Sequence, residues 1–266
     1  MRKNIKAIIQ ARMGAQRLPG KVLMEVGGRA LLDYMVERVK QSKLIDQVIV
    51  ATTMFSKDEP IVQWCQKNNI KFYRGDEEDV LSRYYETAKE YRASIIVRLT
   101  SDCPLIDFRI IDAVVQNYLD RPQIDFVSNT VPLPCLYPDG MDVEVFDMNV
   151  LTKAYEEAQL PSEREHVTFY MWKTGKFSIF RLDPCEDISQ YRFCVDYAQD
   201  FEVVSEVLNK LYPDNPQFSM YDLIDFMKKN PELLKLQKGI ERNSGWQRAF
   251  DRDRLGVEKL LKEKER

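Results

Sequence analysis

The chain has 266 residues, 44% of them hydrophobic and 30% charged, with a formal net charge of −3. A chain of this length can bury a sizeable core, as one large α/β domain or a domain with an appendage. The slightly acidic balance excludes a general nucleic-acid or acidic-membrane binder, and no apolar run approaches the roughly 20 residues of a membrane span.

The start MRKNIKAIIQARMG has too short an apolar core for a signal peptide, so a cytoplasmic protein is expected. Five cysteines (Cys65, Cys103, Cys135, Cys185 and Cys194) form no CxxC pair and are odd in number. Free, mostly buried thiols are expected, with neither a disulfide framework nor a zinc site.

In chain order, KAIIQA (6–11), QVIVATT (47–53), IKFYRG (70–75) and SIIVRLT (94–100) are short and β-branched, as strands are. Between them ALLDYMVERVKQS, DEPIVQWCQKNN and EEDVLSRYYETAKEYR space apolar residues by three and four, as amphipathic helices do. The alternation is βαβ. Right-handed crossovers then give a mostly parallel sheet covered on both faces, with ligands at the carboxyl ends of its strands.

Beyond Asp107 the rhythm loosens. Further strands are expected at IDFVSN (124–129), GMDVEVF (140–146), KFSIFRL (176–182) and YRFCVD (191–196). The three prolines of TVPLPCLYPDG rule out regular helix, and this loop is expected to overhang a substrate site. The division expected is a catalytic domain at 1–212 and a helical appendage at 213–266. The appendage is too apolar to stay in water: it either folds back near the site through RNSGWQ or meets a twofold partner, and a homodimer is expected.

The loop after the first strand holds Arg12, Arg17 and Lys21 and no acid. Such a cluster on its own is most simply a solvated face. Here it follows the first strand of a βαβ unit, and Gly14 and Gly20 permit close backbone approach, so it has the ingredients of a phosphate cradle. It is neither a GxGxxG fingerprint nor a Walker loop, which leaves the cations to neutralise phosphate. Two residues beyond the strand SIIVRLT, Asp102 either caps a turn or offers a hard oxygen to magnesium. Asp196, at the end of YRFCVD and just before a helix from about Ala198, is equally an N-cap or a second ligand.

IIQARMGAQRLPGKVL resembles the nucleotide-binding signature of the bacterial cytidylyltransferases that activate acidic sugars, the CMP-Kdo and CMP-sialic acid synthetases. VRLTSDCPLID, FVSNT, DGMDVEVF and EREHVT narrow the resemblance to the spore-coat polysaccharide SpsF-type branch, over about residues 5–210. It implies a GT-A-like, Rossmann-related nucleotidyltransferase fold, CTP as donor, a sugar acid (nonulosonic or Kdo-like) as acceptor, and Mg²⁺ or Mn²⁺ as cofactor.

On that resemblance the nucleotide meets Ala11, Arg12, Met13, Gly14, Arg17, Lys21, Arg74, Asp79, Arg83 and Asp102. Arg12, Lys21 and Asp102 serve catalysis, and Asp102 and Asp196 hold the metal. Asp142 and Glu144 would bond sugar hydroxyls from one strand face, or else form a solvent-facing strand edge. Asp79 and Arg83 are explained equally well by a helix cap with an intrahelical ion pair. Arg164 or His166, in a stretch expected to be helical, would meet the acceptor's carboxylate, although a lone histidine is more often structural. No dedicated base stands out. A GT-A glycosyltransferase would share the acidic motif but not need a triphosphate loop, and a non-catalytic sugar-nucleotide binder would not need all five charged groups together.

Overall fold

The computed structural model describes residues 4–264, with side chains through residue 254. The chain forms β1 (Ile5–Gln10), a short hairpin of β2 (Glu25–Val26) and β3 (Arg29–Ala30), α1 (Leu31–Lys40), β4 (Gln47–Thr53), α2 (Glu59–Lys67), β5 (Lys71–Gly75), α3 (Val80–Glu90) and β6 (Ile95–Thr100). There follow α4 (Phe108–Leu119), β7 (Phe126–Ser128), β8 (Glu144–Asp147), α5 (Met148–Glu157), α6 (Pro161–Glu165), α7 (Phe169–Lys173) and β9 (Ile179–Arg181). Then come α8 (Ala198–Leu211), α9 (Met220–Lys229), α10 (Pro231–Leu236) and α11 (Ser244–Lys264).

Seven strands form one sheet in the order β5-β4-β1-β6-β8-β7-β9, in which β8 alone runs against the others. The period of two explains both of its cores. Ile9, Val50 and Val97 face α1, α2 and α4, while Ile8, Ala51 and Ile96 face α3 and α5. The parallel strands carry their carboxyl ends to one edge. Because β8 is reversed, it brings its first residue, Glu144, to that same edge.

The expected strand at 191–196 does not form. The segment is apolar enough to be buried, but its hydrogen bonds are split: Phe193 N donates to the Asp139 carbonyl at 2.6 Å, and Val195 N donates to that of Asp102 at 2.7 Å. Changing partner after two residues leaves one isolated bridge, Asp139 with Arg192, instead of a ladder. The helix expected around His166 is also interrupted. Val167 takes a left-handed φ of 57°, which separates α6 from α7.

The tail packs on its own chain. Leu223, Ile224, Met227 and Leu233 join the core beside α1 and α4, and Arg38 staples the approach to α9. This fully buried arginine donates to the carbonyls of Ile106 at 2.8 Å, Pro216 at 3.1 Å and Phe218 at 2.8 Å, and lies 4.0 Å from the Phe218 ring centre. The apolar surface from which a dimer was expected is thus largely covered within one chain. All five cysteines are free and four of them are buried. Among the described residues, no helix is long and apolar enough to cross a membrane.

Candidate active site

The loop after β1 is set by backbone contacts before any of its charges act. Ala11 N bonds the Ala51 carbonyl at 3.1 Å, Met13 N bonds buried Asp58 at 2.6 Å, and Gly20 N closes the loop on the Met13 carbonyl at 2.9 Å. Gly20 sits at φ 74°, a conformation that suits glycine, and starts the single turn Lys21–Leu23. Lys21 therefore points inward. Its ammonium donates to the Val195 carbonyl at 2.6 Å and to Asp196 at 2.9 Å, and lies 3.3 Å from Asp102.

Two crossings bring the aspartates together. Ser101 N bonds the Gln10 carbonyl at 3.1 Å, which ties the end of β6 to the end of β1, and the Val195–Asp102 bond lays Asp196 beside Asp102. Asp196 is not the helix cap. Asp200 accepts from the amides of Asp196 and Tyr197 at 2.9 and 3.0 Å, which leaves the Asp196 carboxylate to Lys21, to Arg17 at 2.8 Å and to Arg192 at 3.1 Å. Burial works against the charges of Lys21 and Asp102, but their mutual attraction prevails. The ammonium is held above the ordinary lysine value, and the Asp102 carboxyl, also bonded by Thr100 and Cys103, is held at about 2. Arg192 underlies the group, paired with Asp139 and bonded to Asp200 at 2.9 and 3.0 Å.

These residues border a cavity of about 610 Å³ at the carboxyl edge of the sheet. Ala11, Arg12, Arg17, Lys21, Arg83, Asp102, His166 and Asp196 all line it, so eight of the expected site residues converge there. Arg12 lies loosely beside Glu77 at 3.7 Å. Arg83, expected either in the pocket or in an intrahelical pair, faces the cavity. It is 2% exposed, donates to the Asp76 carbonyl at 2.6 Å and has a buried Nε without a partner. Burial, opposed by Tyr84 and aided by neighbouring Arg12, lowers its pKa to about 10. His166 also presents an unpartnered buried Nε2, and burial, with Arg98, Arg252 and Lys173 adding to it, pushes the imidazole down to about 3.

Other expected residues stand elsewhere. Met13 and Gly14 do not line the cavity. A Cβ on Gly14 would come 2.9 Å from Lys57 Nζ, so the glycine leaves room for the Lys57–Glu77 pair. Arg74 braces the β4–α2 connection through the carbonyls of Thr53, Met54 and Phe55 and through Glu59. Asp79 caps α3 and pairs with Arg164, fastening α6 to α3. Glu144 is neither solvent-facing nor open to a sugar, because Arg98 and Thr168 engage it inside the protein. Asp142 precedes the strand and meets Arg242 at 3.1 Å; burial raises it to about 7, with Arg242 opposing. No residue of the proline loop 130–140 lines this cavity.

The wall opposite the loop is the alternative in which the tail folds back near the site through RNSGWQ, although Arg248 and Arg252 were not expected in it. Gly245, Arg248 and Arg252 of α11 line the same cavity. Ser244 accepts from Arg17 at 2.6 Å, Arg248 donates to Gln16 at 3.1 Å, and Arg252 pairs with Glu165. Within RNSGWQ, Ser244 meets Arg17 from more than 200 residues away, while Arg242 reaches the Tyr137 carbonyl and Asp142.

Asp102 and Asp196 already share one cation, the Lys21 ammonium. Among the described residues no cluster of three or more acids, histidines or cysteines forms a metal cage. Their carboxylate oxygens are hard donors, and with only two of them a divalent ion would have to complete its shell with phosphate oxygens and water.

A mostly parallel sheet ending on a cation-lined cavity with paired aspartates defines a nucleotidyltransferase. More narrowly, the chain belongs to the cytidylyltransferase family, which matches residues 6–224. A cytidylyltransferase structure from Leptospira borgpetersenii superposes with a TM-score of 0.83 at 36% identity, covering 90% of this chain and all of that one. The spore coat polysaccharide biosynthesis protein SpsF of Bacillus subtilis is 32% identical over 86% of this chain and 96% of its own. CMP:2-keto-3-deoxy-manno-octonic acid synthetase, solved with CTP, shares the fold at 21% identity, with a TM-score of 0.61 over 78% of this chain and 99% of that one.

Proposed function

We propose that the protein transfers the cytidylyl group of CTP to a sugar acid. The anomeric oxygen of the acceptor bonds to the α-phosphorus in line, the bond to the bridging oxygen breaks, pyrophosphate leaves on the far side, and the hydroxyl proton passes to solvent. The observation that carries this reading is the convergence of Arg12, Arg17 and Lys21 with Asp102 and Asp196 around one cavity.

The cations meet the triphosphate and the charge that develops on the departing pyrophosphate. Arg17 and Lys21 are held beforehand by the loop and the aspartates, which limits their reorganisation during the reaction, whereas Arg12 lies loosely beside Glu77. Asp102 and Asp196 would hold magnesium or manganese, which when bound neutralises phosphate charge and polarises the α-phosphate. His166, kept neutral by burial, offers an uncharged nitrogen to the acceptor. The choice of a sugar acid rests on the name of the CMP:2-keto-3-deoxy-manno-octonic acid synthetase, and a surface polysaccharide is the destination that the name of SpsF suggests.

The test is pyrophosphate release from each of the four nucleoside triphosphates with a panel of sugar acids. CTP with one acid should give pyrophosphate and a CMP-sugar in equal amounts. Sugar transfer from a nucleotide-sugar without pyrophosphate would establish a glycosyltransferase instead.

A further inference from the structure

The cations around the cavity differ in what compensates them. Among the described residues, Arg17 and Lys21 pair with Asp196, Arg252 with Glu165, and Arg12 loosely with Glu77. Arg83 and Arg248 face no carboxylate at ion-pair distance among the described residues. Arg83 has the buried, unpartnered Nε, and Arg248 gives one N–H to the neutral amide oxygen of Gln16 at 3.1 Å. A guanidinium has five N–H donors, so both keep unused donors and unneutralised charge beside the same space. For Arg83, which is 2% exposed, that arrangement is unfavourable until an anion meets it, whereas Arg248 is exposed and presents its hydrated donors at the rim of the cavity.

The place of Arg248 indicates which anion. Gln16 lies in the cationic loop between Arg12 and Arg17, so Arg248 reaches that loop from the facing wall. It belongs to α11, beyond residue 224 where the family match ends. We propose that Arg248 is a further binding residue for the terminal phosphates of the nucleotide, acting with Arg83, and that the C-terminal helix is thereby part of the triphosphate site. This rests on the nucleotide reading of the cavity. The ligand class is a nucleoside triphosphate or pyrophosphate; a monophosphate lacks the groups that Arg248 would meet. Arg252, one turn further on, has its charge taken by Glu165.

Calorimetry on the full chain with magnesium present, using CTP, inorganic pyrophosphate and CMP as probes, tests the assignment. Arg248→Ala should weaken CTP and pyrophosphate about tenfold or more while CMP stays within about twofold, and Arg248→Lys should recover part of the loss. Gln247→Ala, an exposed neighbour on the same helix, should bind all three as the wild type does. Unchanged pyrophosphate affinity in Arg248→Ala, or an equal loss for CMP and CTP, would overturn the role of Arg248 alone. A wild type that binds neither pyrophosphate nor any nucleoside triphosphate would overturn the nucleotide reading with it.

Discussion

The loop at residues 11–21 and the wall at residues 244–252 face one cavity but are held in different ways. The loop is fastened by amides and carbonyls to β4, to Asp58 and to itself. The wall is fastened by side chains: Ser244 to Arg17, Arg248 to Gln16, Arg252 to Glu165, and Asp253 to the Ser162 amide at 2.9 Å. Trp246 adds an aromatic seat, with ring centres 5.0 Å from Phe169 and 5.9 Å from Trp172. A backbone-held loop keeps its shape when single side chains change. A wall held by side-chain hydrogen bonds and one exposed ion pair draws little stability from each, so its position depends on the aromatic seat and on the buried staple at the start of the tail.

The largest effect should come from breaking that staple. Arg38→Ala leaves three carbonyls without their donor and removes the stacking on Phe218, and should cost about 3–5 kcal/mol of unfolding free energy, measured by urea titration. A loss under about 1 kcal/mol would show that the tail is anchored elsewhere.

Breaking the loop's chemistry should spare its fold. Lys21→Ala should cut turnover roughly tenfold to a hundredfold, about 1.5–3 kcal/mol, with an unchanged circular dichroism spectrum. Wild-type turnover would remove Lys21 from the reaction.

His166, between the two walls, gives a pH signature. Its folded pKa of about 3 lies below the ordinary 6.5, so below pH 6.5 the unfolded chain takes up a proton that the folded chain refuses, and stability falls with pH. From pH 7 to pH 5 this contributes a loss of at most about 2 kcal/mol, which His166→Gln should abolish. Parallel pH profiles for the two proteins would refute it.

The smallest effect belongs to the wall's outer contact. Arg252→Gln should change stability by less than about 1 kcal/mol, since its side chain is 54% exposed. A larger loss in thermal melting would make that pair a principal anchor.

What could be read in advance follows the range of the interactions. β1, β4, β5 and β6 were legible because alternation and β-branching are local, and Arg12, Arg17 and Lys21 because one loop carries all three. The segment 191–196 was not, because its strand-like composition says nothing about where its hydrogen bonds go. Glu144, Arg164 and Asp79 looked available for ligands because a charged residue does not name its partner; the fold joined them to Arg98, to Asp79 and to Arg164. Arg248 left no local trace, since what makes it a site residue is a loop more than 200 positions earlier.

The aromatic seat of α11 also gives the protein an optical property. Of its three tryptophans, Trp172 and Trp246 stand together at the wall, against the core on one face of the sheet, while Trp64 packs against the other face and bonds Asp33 at 3.1 Å. Lifting the wall would wet two indoles and leave the third as it is. The emission maximum of the unlabelled chain therefore reports whether α11 is seated.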